Sequence, residues 1–264
     1  MDQNSPALTV QFGSVCDRGK VREENQDSIH HASIPLGELF IVADGIGGYK
    51  GGAIASRMVV DGFHKELSAQ PADSPAEQAL EEASSRTNEA ILTAALTGDP
   101  EFHRMGSTVV LALVMLPNQT DSNAGLEALI GHIGDSRAYL IRDGKMLKVT
   151  NDHSAVQALL NRNLITEEEA RKHPDASVLT RSLGHSPQVE LEIDRLPLES
   201  GDALLLCSDG LWGYVADADI AAVTTDASLA PQTVADRLLA LAMAAGGHDN
   251  IGIEFIRVGP GGPA

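Results

Sequence analysis

Apolar positions along the chain follow two rhythms, and the order of those rhythms sets the expected fold. Apolar or alternating runs over residues 8–16 and 39–43 read as strands, with a weaker one over 28–34. From Gly52 the period lengthens: Ile54, Met58, Val59, Phe63 and Leu67 mark one helical face that ends before Pro71. A second helix is expected with Ser74 as N-cap, Pro75 in the first turn and Glu77 closing a capping box. Ala79, Leu80, Ala83, Ala90, Ile91 and Ala94 form its buried stripe. Strand signals return over 108–116, 127–133, 137–142 and 145–149, with a polar loop over 117–125 and a tight hairpin turn at Asp143-Gly144.

Residues 153–178 are polar and carry two short helical patterns, the second capped by Thr166 and Glu169. A weakly packed segment of that length inside a domain is usually functional, and it reads as flap-like. Strands at 189–196 and 202–207 come next, then short helices near 211–223 and a helix over 231–245 stopped by Gly246-Gly247. The last strand is expected over 251–258, with 259–264 as a disordered tail. Strands, two helices, more strands, then a final helix and strand imply α+β with antiparallel sheets. No repeat or linker-like shift in composition divides 1–264, so one domain with a core over about 8–258 is expected.

Composition narrows the function. The 19 basic and 37 acidic residues give a net charge of −18, which argues against nucleic acid and anionic membranes as partners. An anionic substrate needs local cations to offset that charge. No apolar run is long enough to span a membrane, and M-D-Q-N-S-P lacks the features of a signal peptide, so a cytoplasmic protein is expected. Cys16 and Cys207 lie in apolar surroundings and read as buried reduced thiols.

The apolar run F-I-V-A ends at Asp44, and Gly45, Gly47 and Gly48 come at once after it. A carboxylate at the end of a buried strand is unfavourable unless a cation meets it, and the glycines let backbone approach closely. Asp-Gly alone is a common turn signal. Yet Asp27, Asp135, Asp209 and Asp249 also stand at expected strand boundaries beside glycine or small residues. Clustered carboxylates repel one another unless cations neutralise them. A set of oxygen ligands without a Cys/His pattern points to Mg²⁺ or Mn²⁺.

In order and wording, several segments resemble the metal-dependent PPM-type (type 2C) Ser/Thr protein phosphatases in their bacterial form. They are R-E-E-N-Q-D (22–27), V-A-D-G-I-G-G (42–48), G-S-T (106–108), G-D-S-R-A-Y-L (134–140), T-N-D-H-S (150–154), L-T-R-S-L-G (179–184), S-D-G-L (208–211) and D-N (249–250). The resemblance implies a four-layer α-β-β-α sandwich, two antiparallel sheets face to face with helices outside. It implies that Asp44 bridges two ions of Mn²⁺ or Mg²⁺, that the Gly45 carbonyl serves one, and that Asp209 and Asp249 complete the other. Asp27 is expected to act through bound water, and Asp135 with Asp209 to form a third, looser position. Arg22 aligns with the arginine that grips the substrate phosphate, a task its guanidinium fork suits.

The activity that the resemblance implies is hydrolysis of phosphoserine and phosphothreonine in proteins by attack of a metal-bridging water, by a monomer that opposes a cognate Ser/Thr kinase. A non-catalytic phosphoprotein-binding relative and a metal-dependent hydrolase of small phosphoesters are the competing readings. Cys207, two residues from Asp209, is then a core thiol and not a nucleophile. The chain departs from the family pattern at Ile46, where many eukaryotic relatives have a histidine that resembles a general acid. Metal-bound water or another histidine must then serve. His153 and His248 are candidates, although hydrogen bonding to nearby backbone is the favoured reading of both. Ser182 stands where alanine is usual. Arg18, Lys20 and Lys50 read as solvated loop charges, and Arg137 as a partner for a strand-end carboxylate.

Overall fold

The computed structural model describes residues 8–47, 50–96, 102, 104–115 and 126–260. The loop expected over 117–125 and the end of the expected tail lie outside the described residues. Strands β1 (Leu8–Asp17), β7 (Arg137–Arg142), β8 (Lys145–Lys148), β10 (Ala203–Cys207) and β11 (Ile251–Pro260) form one antiparallel sheet in the order β1-β11-β10-β7-β8. Strands β2 (Asp27–Ile34), β3 (Gly37–Ile46), β5 (Val109–Met115), β6 (Glu127–Ile133) and β9 (Glu192–Pro197) form the other in the order β2-β3-β5-β6-β9. The two-residue β4 (Gly106–Ser107) pairs with the end of β3.

The unbroken apolar run in β3 is explained by its two covered faces. Phe40 and Val42 meet Val110, Leu204 and Ile256 between the sheets, while Leu39 and Ile41 pack under helices α1 (Gly51–Ser68) and α2 (Ala76–Ala95). On the opposite outer face Leu205, Cys207 and Phe255 lie under α5 (Asp209–Trp212), α6 (Asp217–Thr224) and α7 (Pro231–Ala244). These layers make the expected four-layer α-β-β-α sandwich. Each large apolar side chain so buried contributes on the order of 2 kcal/mol of transfer free energy, which is what holds the strand ends in place. Among the described residues, no helix is long and apolar enough to cross a membrane.

Two expectations fail locally. The capping box at Ser74 does not form: α2 has Pro75 as N-cap and no side-chain cap. Glu77 instead accepts hydrogen bonds from Arg195 on β9, at 3.2 Å from Nε and 3.0 Å from Nη2, so its carboxylate cannot reach back. The final strand runs past 258, because Gly259 and Pro260 pair with Thr9 and Leu8. Only the part of the expected tail from 261 remains beyond it. The capping box of Thr166 and Glu169 is present, at the start of α4 (Glu167–Arg171), which comes after α3 (Ala155–Asn161).

Antiparallel pairing brings the five aspartates to one end of the sandwich. Asp27 opens β2 directly across from Asp44, near the end of β3. Asp135 lies just after β6, Asp209 just after β10 and Asp249 just before β11. A hydrogen bond of 2.6 Å from Ser208 Oγ to Asp27 Oδ2 ties the two sheets together at that end.

Candidate metal centre and substrate cleft

Asp44 is held by its backbone, which leaves its carboxylate uncommitted to the turn. Its N–H donates to Thr108 Oγ1 (3.0 Å), and its carbonyl accepts from Thr108 N–H (2.8 Å) and Ser107 Oγ (2.9 Å). Thr108 Oγ1 lies 2.7 Å from Ser136 Oγ, which links this frame to the loop that carries Asp135. The Asp-Gly of this strand end also brings backbone against backbone. A Cβ at Gly45 would meet the Gly52 carbonyl oxygen at 2.0 Å, so the first turn of α1 can approach only a glycine here.

Asn250 explains why Asp249 is succeeded by an amide. Its Oδ1 accepts from Gln26 N–H at 2.8 Å, and its Nδ2 donates to the carbonyls of Arg18 (2.9 Å) and Glu24 (3.0 Å). One side chain thus fixes the loop that presents both Arg22 and Asp27. Arg22 crosses toward the carboxylates and gives one nitrogen, Nη2, to Asp249 Oδ2 at 2.8 Å. The rest of its fork is left for another anion.

The carboxylates are not balanced by the cations beside them. Burial, then the charges of Asp27, Asp209, Asp135 and Asp249, holds Asp44 protonated far above the usual carboxylate range. Burial, then Asp135, Asp249 and Asp27, does the same to Asp209. Asp27 is pushed up to about 7, chiefly by burial and against the Ser208 hydrogen bond. Asp135 rises to about 6 through burial and Asp152, with Arg137 opposing. The Oδ1 atom of Asp27 is buried with no hydrogen-bond partner. Hard divalent cations neutralise such clusters and satisfy such an oxygen, so the donor set fits Mg²⁺ or Mn²⁺.

Arg22, Asp44, Thr108, Asp135, Asp209 and Asp249 all line one cleft of about 820 Å³. Arg181 and His185 line it too, from the segment just beyond the flap-like stretch. The sequence patterns point to neither as a site residue. Arg181 stands inside the L-T-R-S-L-G segment, and its charge in an acidic chain is the one signal it offers. His185 carries no signal of its own. Cys207 is wholly buried under the outer helices, and burial pushes its thiol far up, as suits a core residue. Cys16 is only partly covered, contrary to expectation, because it sits at the sheet edge near Asn25; both cysteines are free thiols.

His153 and His248 do not line the cleft. His153 is buried, takes the Gly134 N–H on Nδ1 at 3.1 Å and lies 3.1 Å from Glu192 through Nε2. His248 is exposed and lies against Tyr214. His132, His153 and Glu192 bring potential ligand atoms within 4.8 Å of one another. Two features make the trio a brace for the Asp135 loop and not a metal site. The imidazoles are stacked at 4.5 Å and 19°, so no ion can lie in both ring planes. With Nδ1 accepting from Gly134, His153 Nε2 carries the proton that it gives to Glu192, and no lone pair remains. Arg137 makes a bidentate pair with Asp152, 3.1 Å from Nε to Oδ1 and 2.6 Å from Nη2 to Oδ2; its partner carboxylate lies in the loop after β8 and not at the strand end expected. Arg18 and Lys20 are tied to the carbonyls of Glu23 and Met243 and do not line the cleft.

The sequence and the fold are shared with known proteins. The chain is 34% identical over 247 residues to the serine/threonine protein phosphatase PstP of Mycobacterium tuberculosis, covering 92% of this chain and 44% of that protein. It therefore spans less than half the length of that relative. The protein phosphatase PhpP of Streptococcus pneumoniae is also 34% identical, over 94% of this chain and 97% of its own length. Among solved structures, the S. agalactiae serine/threonine phosphatase superposes with a TM-score of 0.84 at 30% identity, over 94% of this chain and 99% of that one. The catalytic domain of PstP, solved in complex with two manganese ions, superposes at 0.80 with 32% identity, over 96% and 99%. The sequence profile of the protein phosphatase 2C family matches residues 19–242, and the chain belongs to that PPM-type family.

Proposed function

We propose that the chain is a protein-serine/threonine phosphatase, with 1–264 as a single catalytic domain that hydrolyses phosphoserine and phosphothreonine in the cytoplasm and opposes a cognate kinase. The observation that supports it is the convergence of four aspartates beside Arg22 in one cleft, with Asp27 and its orphaned buried oxygen directly across from Asp44. Asp44, the Gly45 carbonyl, Asp209 and Asp249 would hold the core pair of ions, with Asp44 serving both. Asp135 with Asp209 would hold a third, and Asp27 would act through a bound water. When bound, such ions supply Lewis acidity toward the phosphoryl oxygens and an acidified water for attack on phosphorus. The manganese in the PstP catalytic domain supports this reading.

The chain's own residues do the rest. Arg22 grips the phosphate and orients it, with Asp249 holding one edge of the guanidinium. The Thr108 and Ser107 bonds keep the Asp44 backbone from moving as charge develops. Because no side chain attacks phosphorus, Cys207 and the serines of the cleft need not be nucleophiles.

Chelation should abolish hydrolysis of a phosphoseryl or phosphothreonyl peptide, and Mn²⁺ or Mg²⁺ but not Zn²⁺ should restore it. Turnover that survives in a metal-free preparation would sink the mechanism. Faster turnover of nucleotides than of phosphopeptides would instead favour a hydrolase of small phosphoesters. Arg22→Ala should lower kcat/KM for the peptide by on the order of 2 kcal/mol, mostly through KM, by loss of a charge-assisted fork. Unchanged steady-state kinetics would remove Arg22 from the substrate site.

A further inference from the structure

The geometry points to His185 as the general acid that protonates the departing serine or threonine oxygen, an inference that rests on the phosphatase reading above. Among the described residues that line the cleft, His185 is the only imidazole. It is an exposed residue of the cleft lining.

Its placement depends on Gly106. A Cβ at that position would lie 2.4 Å from His185 Cε1 and 2.5 Å from Nδ1, so the ring occupies space that only glycine leaves open. Gly106 is in turn the direct cross-strand partner of Ile46. The imidazole therefore stands beside the backbone position whose own side chain, isoleucine, has no proton to give. Ser182 completes the arrangement. It is buried, 7% exposed, and its Oγ lies 2.7 Å from His185 Nδ1. Ser182 and the cross-strand partner of Ile46 thus meet at one ring.

The hydroxyl also fixes which nitrogen does the work. Ser182 Oγ can accept from Nδ1–H in the charged ring and equally in the neutral ring left after transfer. Nε2 is then the atom that gives up and regains the proton. In the step, a water oxygen forms its bond to phosphorus while the bond from phosphorus to the seryl or threonyl oxygen breaks. The electron pair stays on the leaving oxygen, and the Nε2 proton passes to it, giving the alcohol and a neutral imidazole. The proton released by the attacking water goes to solvent or stays on the inorganic phosphate, and His185 is reprotonated from solvent. A positioned imidazole is the side chain most often used as a general acid.

An alkoxide needs that proton, whereas p-nitrophenolate leaves without one. The test compares the two leaving groups on the full chain loaded with Mn²⁺. His185→Gln and His185→Ala should lower kcat on a phosphoseryl peptide by about 100-fold or more, with KM changed by less than about threefold. The same variants should keep kcat on p-nitrophenyl phosphate within about threefold of wild type. Ser182→Ala should give a smaller loss, again on the peptide alone. Calorimetric binding of Mn²⁺ should match wild type in all three variants, which excludes a damaged metal centre as the cause.

Equal losses on both substrates would overturn the assignment, and so would a raised KM with kcat unchanged. The first would make His185 structural and the second a binding residue. Wild-type protein that cleaves p-nitrophenyl phosphate but no phosphopeptide would remove the Ser/Thr phosphatase reading, and this proposal with it.

Discussion

Asp44→Asn is expected to leave a folded protein whose phosphopeptide turnover falls by at least about 10³-fold, a loss of roughly 4 kcal/mol in transition-state stabilisation. In the proposed reading Asp44 serves both core ions, so its loss removes the pair. Asp249→Ala removes one ligand only and should give a weaker site that high Mn²⁺ partly rescues. Asp135→Ala should keep the core pair but lower turnover through the third position. Calorimetric stoichiometry beside turnover separates the three. If Asp135→Ala lost all binding while Asp44→Asn kept both ions, the assignment would be reversed. Folding is not expected to suffer in Asp44→Asn, because the change deletes a charge from a cluster in which burial and four neighbouring carboxylates already disfavour that charge. Circular dichroism on each variant checks this.

The layers of this fold are legible in the sequence because period is a local property. The two-sided burial of β3 can be read from four consecutive apolar residues, and the helical face of α1 from spacing alone. Sheet order is not legible, since the pairing of β1 with β11 joins the two ends of the chain. The capping box at Ser74 fails for a related reason: Arg195, remote in sequence, takes the Glu77 carboxylate. At the site, the aspartates announce themselves by standing at strand ends, whereas the groups that position them do not. Ser208 donating to Asp27, and Asn250 clamping the Arg22 loop, are bonds between segments far apart in the chain. His185 is hidden in the same way, because its setting depends on a gap at Gly106 that only the folded backbone creates.

In the presence of chelator, the protein is expected to lose stability as pH rises from 5.5 to 8. Asp27 and Asp135 titrate at about 7 and about 6 in the fold, above the ordinary carboxylate value near 3.9, and Asp44 and Asp209 are also raised well above it. A carboxyl whose folded pKa is raised binds its proton more tightly folded than unfolded. Its contribution is therefore complete below about pH 4 and is lost as pH climbs through the folded value. Glu254, buried between the sheets beside Ser14 and pushed up to about 8, adds to the same slope. His153 and His30 act the other way, since burial lowers them and folding favours their neutral forms as pH rises. Four desolvated aspartates and one glutamate outweigh two histidines, so the unfolding midpoint should fall by about 5 °C or more across that range. Excess Mn²⁺ should remove most of the fall, because ions that need deprotonated ligands bind more tightly as pH rises and stabilise the state that holds them. The part that remains should vanish in Glu254→Gln, whose side chain lies outside the cluster, while Asp44→Asn should flatten the slope in chelator only. A midpoint in chelator that stays level or rises between pH 5.5 and 8 would mean that the carboxylates are already compensated without metal, and would undo the electrostatic argument for the centre.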